Sequence, residues 1–499
     1  MASNQYFGTD GIRGTAGSPP MTAEFVFRLG VAVGHVLSQE TPGPDLFVIG
    51  RDTRVSGPLL QEALTRGLLT SGARVMDLGI LPTPGIAWLT RELAATAGAV
   101  ISASHNPASE NGIKFLNPQG MKLSESQEAA IEAYFASLPA GELNLPETGI
   151  RVDGTKFYDL YLEDLLATQE GLDLSGLKIL LDCSNGAAYR VGPDLFTALG
   201  AEVVALNTES DGVNINVHAG SEYARSKPEA LAALLAEHQA SLAITFDGDA
   251  DRVILMDETG QLIDGDHMLA ILADALHQQN KLLANTLVTT VMANGSLHQY
   301  AAEHNFELIQ TPVGDKYVTE VLLGLTAENN PTGKFGLGGE QSGHIILLDE
   351  GHRTGDGLRT AVFMLKVLLE QEQPSMAALA SRIQKYPQLV ASCNVANKLD
   401  LQTMEPLQAM LEEIKHRLPG LVQLNSRYSG TEPKYRLMIE TDTRHSTHEL
   451  AEICWEVCDL IQRETGTPAG AKIEVLNVSA GGLVPRPETD HSPRSTHAK

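Results

Sequence analysis

The segment LFVIGRDTRVSGPLLQEALTRGLLTSGARVMDLG (46–79) decides the fold class. It begins with an apolar run, continues through a polar turn and an amphipathic helical pattern, and ends in a second apolar run. This order predicts a strand, a helix and a second strand parallel to the first. Two later segments repeat the plan: KILLDCSNG leads to AEVVALN (178–207), and TLVTTVMANGS leads to FELIQTP (286–312). The sequence therefore predicts a threefold α/β repeat with mostly parallel sheets covered by helices.

Each repeat is followed by another apolar segment that ends in a polar loop. The three segments are AGAVISASHNP (97–107), SLAITFDGDADR (241–252) and GLGGEQSGHIILLD (336–349). Open parallel sheets bind their ligands beyond the carboxyl ends of the strands. We therefore expect three tandem α/β domains, each of which contributes one loop to a central cleft.

The rest of the chain predicts a smaller α+β domain and a tail. Helical patterns around 403–417 and 446–463 flank a strand-like region with a loop at RYSGTEP. The last twenty residues are polar and rich in Pro, Ser and His, which is typical of disorder. The expected boundaries are 1–152, 153–264 and 265–385 for the α/β domains, 386–478 for the α+β domain and 479–499 for a disordered tail.

Composition limits the classes of function. The 499 residues include 36 Lys and Arg against 62 Asp and Glu, and the resulting charge of −26 disfavours binding to nucleic acid or anionic membranes. Four cysteines are too few and too scattered for a disulfide framework, and the spacing of Cys454 and Cys458 in an apolar helical pattern predicts buried free thiols. The N-terminus lacks the layout of a signal peptide, and no apolar run approaches a membrane span, so we expect a cytoplasmic protein.

Asp247, Asp249 and Asp251 place a carboxylate at every second position between two apolar runs. Such carboxylates repel one another unless a cation lies between them, which favours a metal site over a solvated acidic turn. An EF-hand is excluded because its sixth position is Arg252 rather than glycine and its flanks are typical of strands. A haloacid-dehalogenase-like phosphatase also begins with Asp-x-Asp, but Asp251 replaces its usual hydroxyl residue. Three oxygen ligands predict Mg²⁺ with positions open for a phosphate.

SASHNP (102–107) contains two serines at a change from strand to loop. A phosphorylated serine would add a ligand to the three carboxylates, and Mg²⁺ would offset its charge. The competing interpretation is a hydrogen-bonded turn. Spacing alone does not choose between Ser102 and Ser104. Lys114 is the nearest candidate proton carrier, and its alternative is an ordinary surface lysine.

Two further loops could bind the ends of a phosphorylated sugar. In GGEQSGH (338–344), Glu340 and Ser342 point to the same side of an extended segment and could bind vicinal hydroxyls or an amine. RYSGTEPKYR (427–436) combines a guanidinium, hydroxyls and exposed amides, which suits a phosphate. Both could also be turns without a ligand. Other cations near these motifs are Arg13, Arg252, Lys316 and Arg353.

Five ordered motifs carry a resemblance to a known family. They are FGTDGIRG (7–14), ISASHNP with NGIK (101–114), DGDADR (247–252), GEQSGH (339–344) and RYSGTEPKYR (427–436). In order and spacing the chain resembles the α-D-phosphohexomutase superfamily, and it is most similar to bacterial members that act on glucosamine phosphates. Ala250 stands where the family often has glycine, and Lys316 where it often has arginine.

The resemblance implies four domains around a cleft and interconversion of glucosamine 6-phosphate and glucosamine 1-phosphate. The reaction would pass through a phosphoserine and glucosamine 1,6-bisphosphate, and would feed amino-sugar nucleotide and cell-wall precursor synthesis. The implied metal ligands are Asp247, Asp249, Asp251 and the phosphate of Ser104. The implied catalytic groups are Ser104, Lys114, Arg13 and His344. The implied substrate-binding residues are Arg252, Lys316, Glu340, Ser342, Arg427, Ser429, Gly430 and Thr431.

Two other functions compete with this hypothesis. The chain could act on mannose or glucose phosphates, which comparison of the three substrates would reveal. It could instead be a noncatalytic sugar-phosphate-binding protein, against which the intact Ser104, Lys114 and aspartates argue. The oligomeric state is left open between a monomer and a homodimer.

Overall fold

The computed structural model describes residues 6–8, 10–40, 45–139, 141, 143–168, 171–328, 332–429, 433–442, 444–468 and 470–487. The chain divides into two compact units, Met1–Lys385 and Tyr386–Lys499. The first unit contains three sheets and the second contains one.

The first sheet has the strand order β1-β5-β4-β2-β3-β6. Strands β2, β3, β4 and β6 are parallel, whereas β5 runs antiparallel to both β4 and β1. The strands are β1 (Ile12–Thr15), β2 (Leu46–Arg51), β3 (Arg74–Ile80), β4 (Ala97–Ile101), β5 (Glu110–Leu116) and β6 (Ile150–Asp153). The helices are α1 (Ala23–Glu40), α2 (Gly57–Leu69), α3 (Thr83–Glu92) and α4 (Glu125–Ser137). Because β6 ends at Asp153, this sheet extends one residue beyond the expected boundary at 152.

The second sheet has the order β11-β10-β9-β7-β8. Its central strand β9 is buried on both faces, as expected for a continuous apolar run in a parallel sheet. The strands are β7 (Lys178–Asp182), β8 (Glu202–Leu206), β9 (Leu242–Phe246), β10 (Val253–Met256) and β11 (Leu262–Ile263). The helices are α5 (Phe157–Ala167), α6 (Val191–Ala198), α7 (Gly220–Ser226) and α8 (Pro228–His238).

The third sheet has the order β13-β12-β14-β15. Its strands are β12 (Leu282–Thr290), β13 (Glu307–Thr311), β14 (Phe335–Gly339) and β15 (Ile345–Leu348). Its helices are α9 (Gly265–Gln278), α10 (Ser296–Glu303), α11 (Asp315–Glu328), α12 (Gly357–Leu369) and α13 (Met376–Ala380). One hydrophobic core cluster includes buried side chains from all three sheets, among them Val48, Phe246 and Leu337.

The three sheets share one feature that positions the site. In each, a parallel strand is followed by a short loop and an antiparallel strand: β4 to β5, β9 to β10, and β14 to β15. The loops carry SASHNP, DGDADR and EQSGH. The threefold α/β repeat predicted from the sequence is therefore confirmed, with one antiparallel return in every repeat.

The second unit has an antiparallel sheet in the order β17-β18-β16-β19. Its strands are β16 (Gln388–Asn394), β17 (Leu421–Tyr428), β18 (Lys434–Thr441) and β19 (Ile473–Asn477), and its helices are α14 (Glu405–Arg417) and α15 (Thr447–Glu464). Both helices match the predicted patterns. All four cysteines of the chain are free and buried, which confirms the prediction for Cys454 and Cys458.

The predicted start of the disordered tail, residue 479, is too early, because residues after it make defined contacts. Leu483 bridges to Leu476, Val484 packs on the core of the unit, and Arg486 pairs with Asp459. Residues 488–499 lie outside the described part of the chain. Among the described residues, no helix has the length and apolar character needed to cross a bilayer.

Candidate active site

The loop between β4 and β5 presents Ser104 to the aspartate triplet. Its hydroxyl donates to Asp247 Oδ2 at 2.6 Å, whereas the Ser102 hydroxyl donates to Asp52 Oδ2 at 2.7 Å. Ser104 has φ 53°, a left-handed conformation that L side chains adopt rarely. Of the two serines that the sequence left open, Ser104 is the one that faces the carboxylates.

The loop between β9 and β10 carries Asp247, Asp249 and Asp251. All three are buried, and each offers a ligand atom within 4.8 Å of the others. Asp249 Oδ1 and Asp251 Oδ1 are buried without a hydrogen-bond partner. Buried unpaired carboxylate oxygens are costly unless they coordinate a cation, so this donor set fits Mg²⁺. It is the one such group of metal-binding side chains within the described ranges.

The carboxylates differ in their electrostatic surroundings. Burial and the neighbouring charges of Asp251 and Asp249 raise the pKa of Asp247 well above its ordinary value. Burial also acts to raise the pKa of Asp251, but Lys114 and His344 outweigh it, so that this pKa is lowered. A divalent cation would relieve the repulsion that raises the pKa of Asp247.

Lys114, on strand β5, and His344, on the loop between β14 and β15, both lie close to the carboxylates. Lys114 Nζ lies 3.0 Å from Asp249 Oδ2 and 3.1 Å from Asp10 Oδ2. His344 Nδ1 lies 3.6 Å from Asp251 Oδ2. Burial opposes the charge on both groups, but the surrounding carboxylates raise both pKa values above their ordinary range. The arrangement therefore favours the protonated form of both groups.

Arg13 and Arg252 lie on either side of the serine loop. Arg13 pairs with Asp10 and donates to the Ala103 carbonyl at 3.4 Å. Arg252 Nη1 lies 3.4 Å from His105 Nδ1, which is itself 3.4 Å from the Ser104 hydroxyl. Burial and Arg252 lower the pKa of His105 to about 4. The structure thus places two cations and a neutral imidazole around the serine.

The sugar-loop residues are close to each other, but Lys316 is engaged elsewhere. Ser342 donates to Glu340 Oε2 at 3.3 Å, consistent with the prediction that the two side chains point to one side. Burial acts to lower the pKa values of Arg252 and His344, but Asp251 and the other nearby carboxylates, with Glu340 a smaller contributor, raise both. Lys316 Nζ instead pairs with Glu125 on α4 at 3.0 Å, and among the described residues it forms no ion pair with the aspartate triplet.

The predicted phosphate loop belongs to the second unit. Arg427 lies in β17, opposite Arg436 of β18. The Ser429 amide donates to the Lys434 carbonyl at 2.8 Å, and Lys398 donates to the Ser429 carbonyl at 2.6 Å. Gly430 and Thr431 lie outside the described residues. The loop is therefore anchored at both ends by described contacts.

Sequence reasoning missed several charged residues that complete the site. Lys122 Nζ lies 2.8 Å from Asp10 Oδ1 and 2.7 Å from Asp315 Oδ1, so it forms an ion pair with both carboxylates. Asp315 Oδ2 in turn lies 3.7 Å from His344 Nε2. Asp10 lies within the motif GTDGIRG, which was the available signal. No local signal pointed to Lys122, because its partners come from distant segments.

A second group that sequence reasoning missed contacts the loop between β14 and β15, which carries Glu340 and Ser342. The Gln341 amide donates to Asp266 Oδ2 at 2.6 Å, and Lys385 Nζ lies 3.0 Å from the same oxygen. Gln341 is buried, with 6% of its surface exposed. The Gln341 side chain therefore anchors the loop to Asp266, whereas the Glu340 carboxylate of the same loop accepts a hydrogen bond from Ser342.

Three family descriptions match successive parts of this chain. They are phosphoglucomutase/phosphomannomutase α/β/α domain I over residues 4–141, domain II over 159–260 and domain III over 264–386. The chain therefore belongs to the phosphoglucomutase/phosphomannomutase family, within the α-D-phosphohexomutase superfamily. It is an enzyme of the isomerase class that moves a phosphoryl group within a sugar. The Mg²⁺ use general in this family fits the buried aspartates.

Individual relatives make the similarity more specific, and the resemblance read from the motifs is confirmed. The chain is 44% identical to the phosphoglucosamine mutase of Pelotomaculum thermopropionicum, over 87% of this chain and 94% of that protein. It is 42% identical to the phosphoglucosamine mutase of Methylobacillus flagellatus, over 93% of this chain and all of that protein.

Solved structures share the fold. A phosphoglucomutase/phosphomannomutase family protein from Burkholderia thailandensis has a TM-score of 0.72 at 25% identity, over 95% of this chain and 100% of that chain. The N-acetylphosphoglucosamine mutase of Aspergillus fumigatus, solved in complex with GlcNAc-6P and magnesium, has a TM-score of 0.63 at 16% identity, over 92% of this chain and 96% of that chain. At that identity the likeness is one of fold.

Proposed function

We propose that this enzyme interconverts glucosamine 6-phosphate and glucosamine 1-phosphate through phosphorylated Ser104 and glucosamine 1,6-bisphosphate. The observation that carries the proposal is the Ser104 hydroxyl, 2.6 Å from Asp247 Oδ2 at the edge of three buried carboxylates. Relatives named phosphoglucosamine mutase, which align over most of the chain, support glucosamine as the sugar.

The proposed metal ligands are Asp247, Asp249, Asp251 and a phosphate oxygen on Ser104. When bound, Mg²⁺ supplies charge neutralisation and polarises phosphate oxygens. The unpaired oxygens of Asp249 and Asp251 support this assignment. Phosphoryl transfer depends mainly on in-line positioning and charge compensation, and Arg13 and Arg252 stand beside the serine to provide the latter.

The reaction has two balanced transfers. In the first, the Oγ–P bond of phosphorylated Ser104 breaks as a sugar hydroxyl forms a new O–P bond; the hydroxyl loses its proton to a base, and Ser104 Oγ takes up a proton as it leaves. In the second, after the sugar has turned around, the O–P bond of its other phosphate breaks as Ser104 Oγ forms a new O–P bond; Ser104 Oγ loses its proton, and the sugar oxygen that is freed takes one up. We assign the proton transfers to Lys114 and His344, which flank the carboxylates. The neighbouring carboxylates favour the protonated form of both groups, which suits the step that protonates a leaving oxygen.

The remaining groups are assigned to substrate binding. Glu340 and Ser342 are proposed to bind the sugar, where the carboxylate can pair with an ammonium at C2. The phosphate that does not react is proposed to bind the loop of Arg427, Ser429, Gly430 and Thr431. Lys316 is proposed to bind substrate once its side chain has separated from Glu125, because their exposed ion pair is weak.

The test is turnover of glucosamine 1-phosphate, glucose 1-phosphate and mannose 1-phosphate under matched bisphosphate activation. We expect the highest kcat/KM with glucosamine 1-phosphate and a phosphate on Ser104 by peptide mass spectrometry. Equal or higher efficiency with mannose 1-phosphate would assign the chain to the phosphomannomutase/phosphoglucomutase group. No turnover of any of them would favour a noncatalytic sugar-phosphate-binding protein.

The proposal also includes a cytoplasmic location and domain boundaries at 264, at 385 and just after β6, one residue beyond the expected 152. A monomer and a homodimer are distinguished by light scattering on the purified protein. Domain boundaries are tested by limited proteolysis, which should cut first in the exposed connections between sheets.

A further inference from the structure

Arg54 lies in the turn between β2 and α2, and its side chain is completely buried. Its Nε donates to Asp52 Oδ2 at 2.9 Å, and the same carboxylate balances its charge. Its two terminal nitrogens donate to four main-chain carbonyls: Ser104 at 2.9 Å, Asn106 at 2.8 Å, Glu110 at 3.0 Å, and Pro107. A guanidinium has five N–H donors, so every donor of Arg54 is in use.

Three of these carbonyls belong to the connection between β4 and β5 that carries Ser104, and the fourth, of Glu110, belongs to the first residue of β5. Two other contacts hold the same serine. Asn216 Nδ2 donates to the Ser104 carbonyl at 2.9 Å and to the Asn106 carbonyl at 3.1 Å. The Ser104 amide donates to the Ser102 hydroxyl at 2.9 Å. Both peptide groups of Ser104 are therefore held by side chains from other positions.

The conformation of Ser104 explains why such holding is needed. Its φ of 53° is rarely adopted by a residue with a Cβ, and strain of this kind persists only where the surroundings enforce it. The carbonyl of Ser104 also lies so close to Gly248 that a Cβ there would be 2.4 Å from the oxygen. The left-handed conformation and the direction of the hydroxyl toward Asp247 thus depend on the same contacts.

We propose that Arg54 is a positioning residue for phosphoryl transfer: it holds the Ser104 loop in the left-handed conformation that directs the hydroxyl to the metal site. The inference rests on the proposed function and adds a residue that touches neither sugar nor transferred phosphate. Because no donor of Arg54 is free, it has none to offer a phosphate. Its loss should therefore lower kcat and leave substrate binding nearly unchanged.

The first test compares Arg54→Lys with Arg51→Lys. Arg51 lies three positions earlier and hydrogen-bonds Gln61 and the Asp52 carbonyl, without a bond to the serine loop among the described contacts. Lysine keeps the charge but has three donors in place of the planar fork. We expect kcat to fall about 100-fold in Arg54→Lys, the loss typical of a misplacement near 1 Å, with KM changed less than about threefold. Arg51→Lys should keep the wild-type kcat.

A second readout separates positioning from general loss of structure. The rate at which Ser104 gains phosphate from glucosamine 1,6-bisphosphate is followed by rapid quench and intact-protein mass spectrometry. In Arg54→Lys this phosphorylation rate should fall together with kcat. The near-ultraviolet circular dichroism spectrum should stay unchanged, which would show that the tertiary structure is intact. If Arg54→Lys does not fold, the variants Asn216→Asp and Ser102→Ala test whether the contacts to Ser104 position it, because each variant removes one of those contacts. Each should lower the phosphorylation rate at least about tenfold, as expected for a poorly oriented group.

Wild-type kcat and phosphorylation rate in a folded Arg54→Lys protein would overturn the inference. If that variant does not fold, wild-type rates in both Asn216→Asp and Ser102→Ala would do the same. A rise in KM at constant kcat would also overturn it, since that pattern belongs to a substrate-binding residue. The proposed function is judged separately on the wild type: if glucosamine phosphate is not turned over but another hexose phosphate is, the sugar assignment fails and the variants are compared on that substrate.

Discussion

Replacement of Asp247 by asparagine should stabilise the protein without metal and remove its response to Mg²⁺. Asp247 is buried beside two carboxylates whose oxygens lie within 4.8 Å. At that separation two unit charges repel by about 3.5 kcal/mol at an effective dielectric constant of about 20. Asparagine removes this repulsion and retains an oxygen that can accept from the Arg252 amide, now at 3.2 Å from Asp247 Oδ1.

Two factors reduce the net gain: the Lys114 ammonium already offsets part of the negative charge at Asp249, and the raised pKa of Asp247 lets its carboxyl take up a proton more readily in the absence of metal. We therefore expect the metal-free variant to gain about 1–3 kcal/mol. For a cooperative unit the size of Met1–Lys385, this corresponds to a rise in Tm of about 1–4 °C. In the wild type, Mg²⁺ at about 100 times its Kd should add about 2.7 kcal/mol.

The assay is thermal unfolding with chelator and with Mg²⁺, followed by turnover measurements. The matched control is Asp257→Asn, because Asp257 is also buried but accepts bonds from Thr259 and Gln261 in a turn after β10. The control should lose stability and keep the Mg²⁺ response. A variant at Asp247 that is destabilised in chelator and still responds to Mg²⁺ would refute the common metal site.

Three further outcomes are expected. Ser104→Ala should abolish the phosphopeptide and lower kcat by at least about 1,000-fold at an intact circular dichroism spectrum, because the nucleophile is absent; full activity, or phosphate on another serine, would contradict the assignment. Gln341→Met should cost about 1–3 kcal/mol in urea unfolding, since Asp266 loses a buried donor at 2.6 Å, and should reduce the preference for glucosamine over mannose phosphate; unchanged stability and preference would argue against this role. Burial and Arg359 lower the pKa of His352, but hydrogen bonds to two carboxylates outweigh them and raise it. Its stabilisation is therefore complete below the unfolded value of about 6.5 and lost as pH rises through the higher folded value, so His352→Gln should flatten the pH dependence of unfolding above about pH 6.5.

Local sequence patterns were sufficient to predict the three repeats and the kind of metal that the aspartate triplet suits. A strand, a turn and a helix each depend on residues within a short window, so the apolar periodicity predicted the three βαβ units and the helices α14 and α15. The aspartate triplet was also readable, because alternation within five residues places the carboxylates on one loop whatever the rest of the fold. The antiparallel strand in every repeat was not predicted, because strand direction depends on pairing with a distant neighbour.

Where local sequence patterns left the choice open, tertiary contacts decided which groups meet at the site. Ser102 and Ser104 have equivalent sequence surroundings, and the choice between them depends on a contact to Asp247, 143 positions away. Arg54 looked like part of a polar turn, yet its carbonyl partners begin 50 positions later. The buried amide of Gln341 donates to Asp266, 75 positions earlier. Such contacts arise from the packing of whole sheets, and the desolvation that makes a buried charge require a partner exists only once that packing has formed.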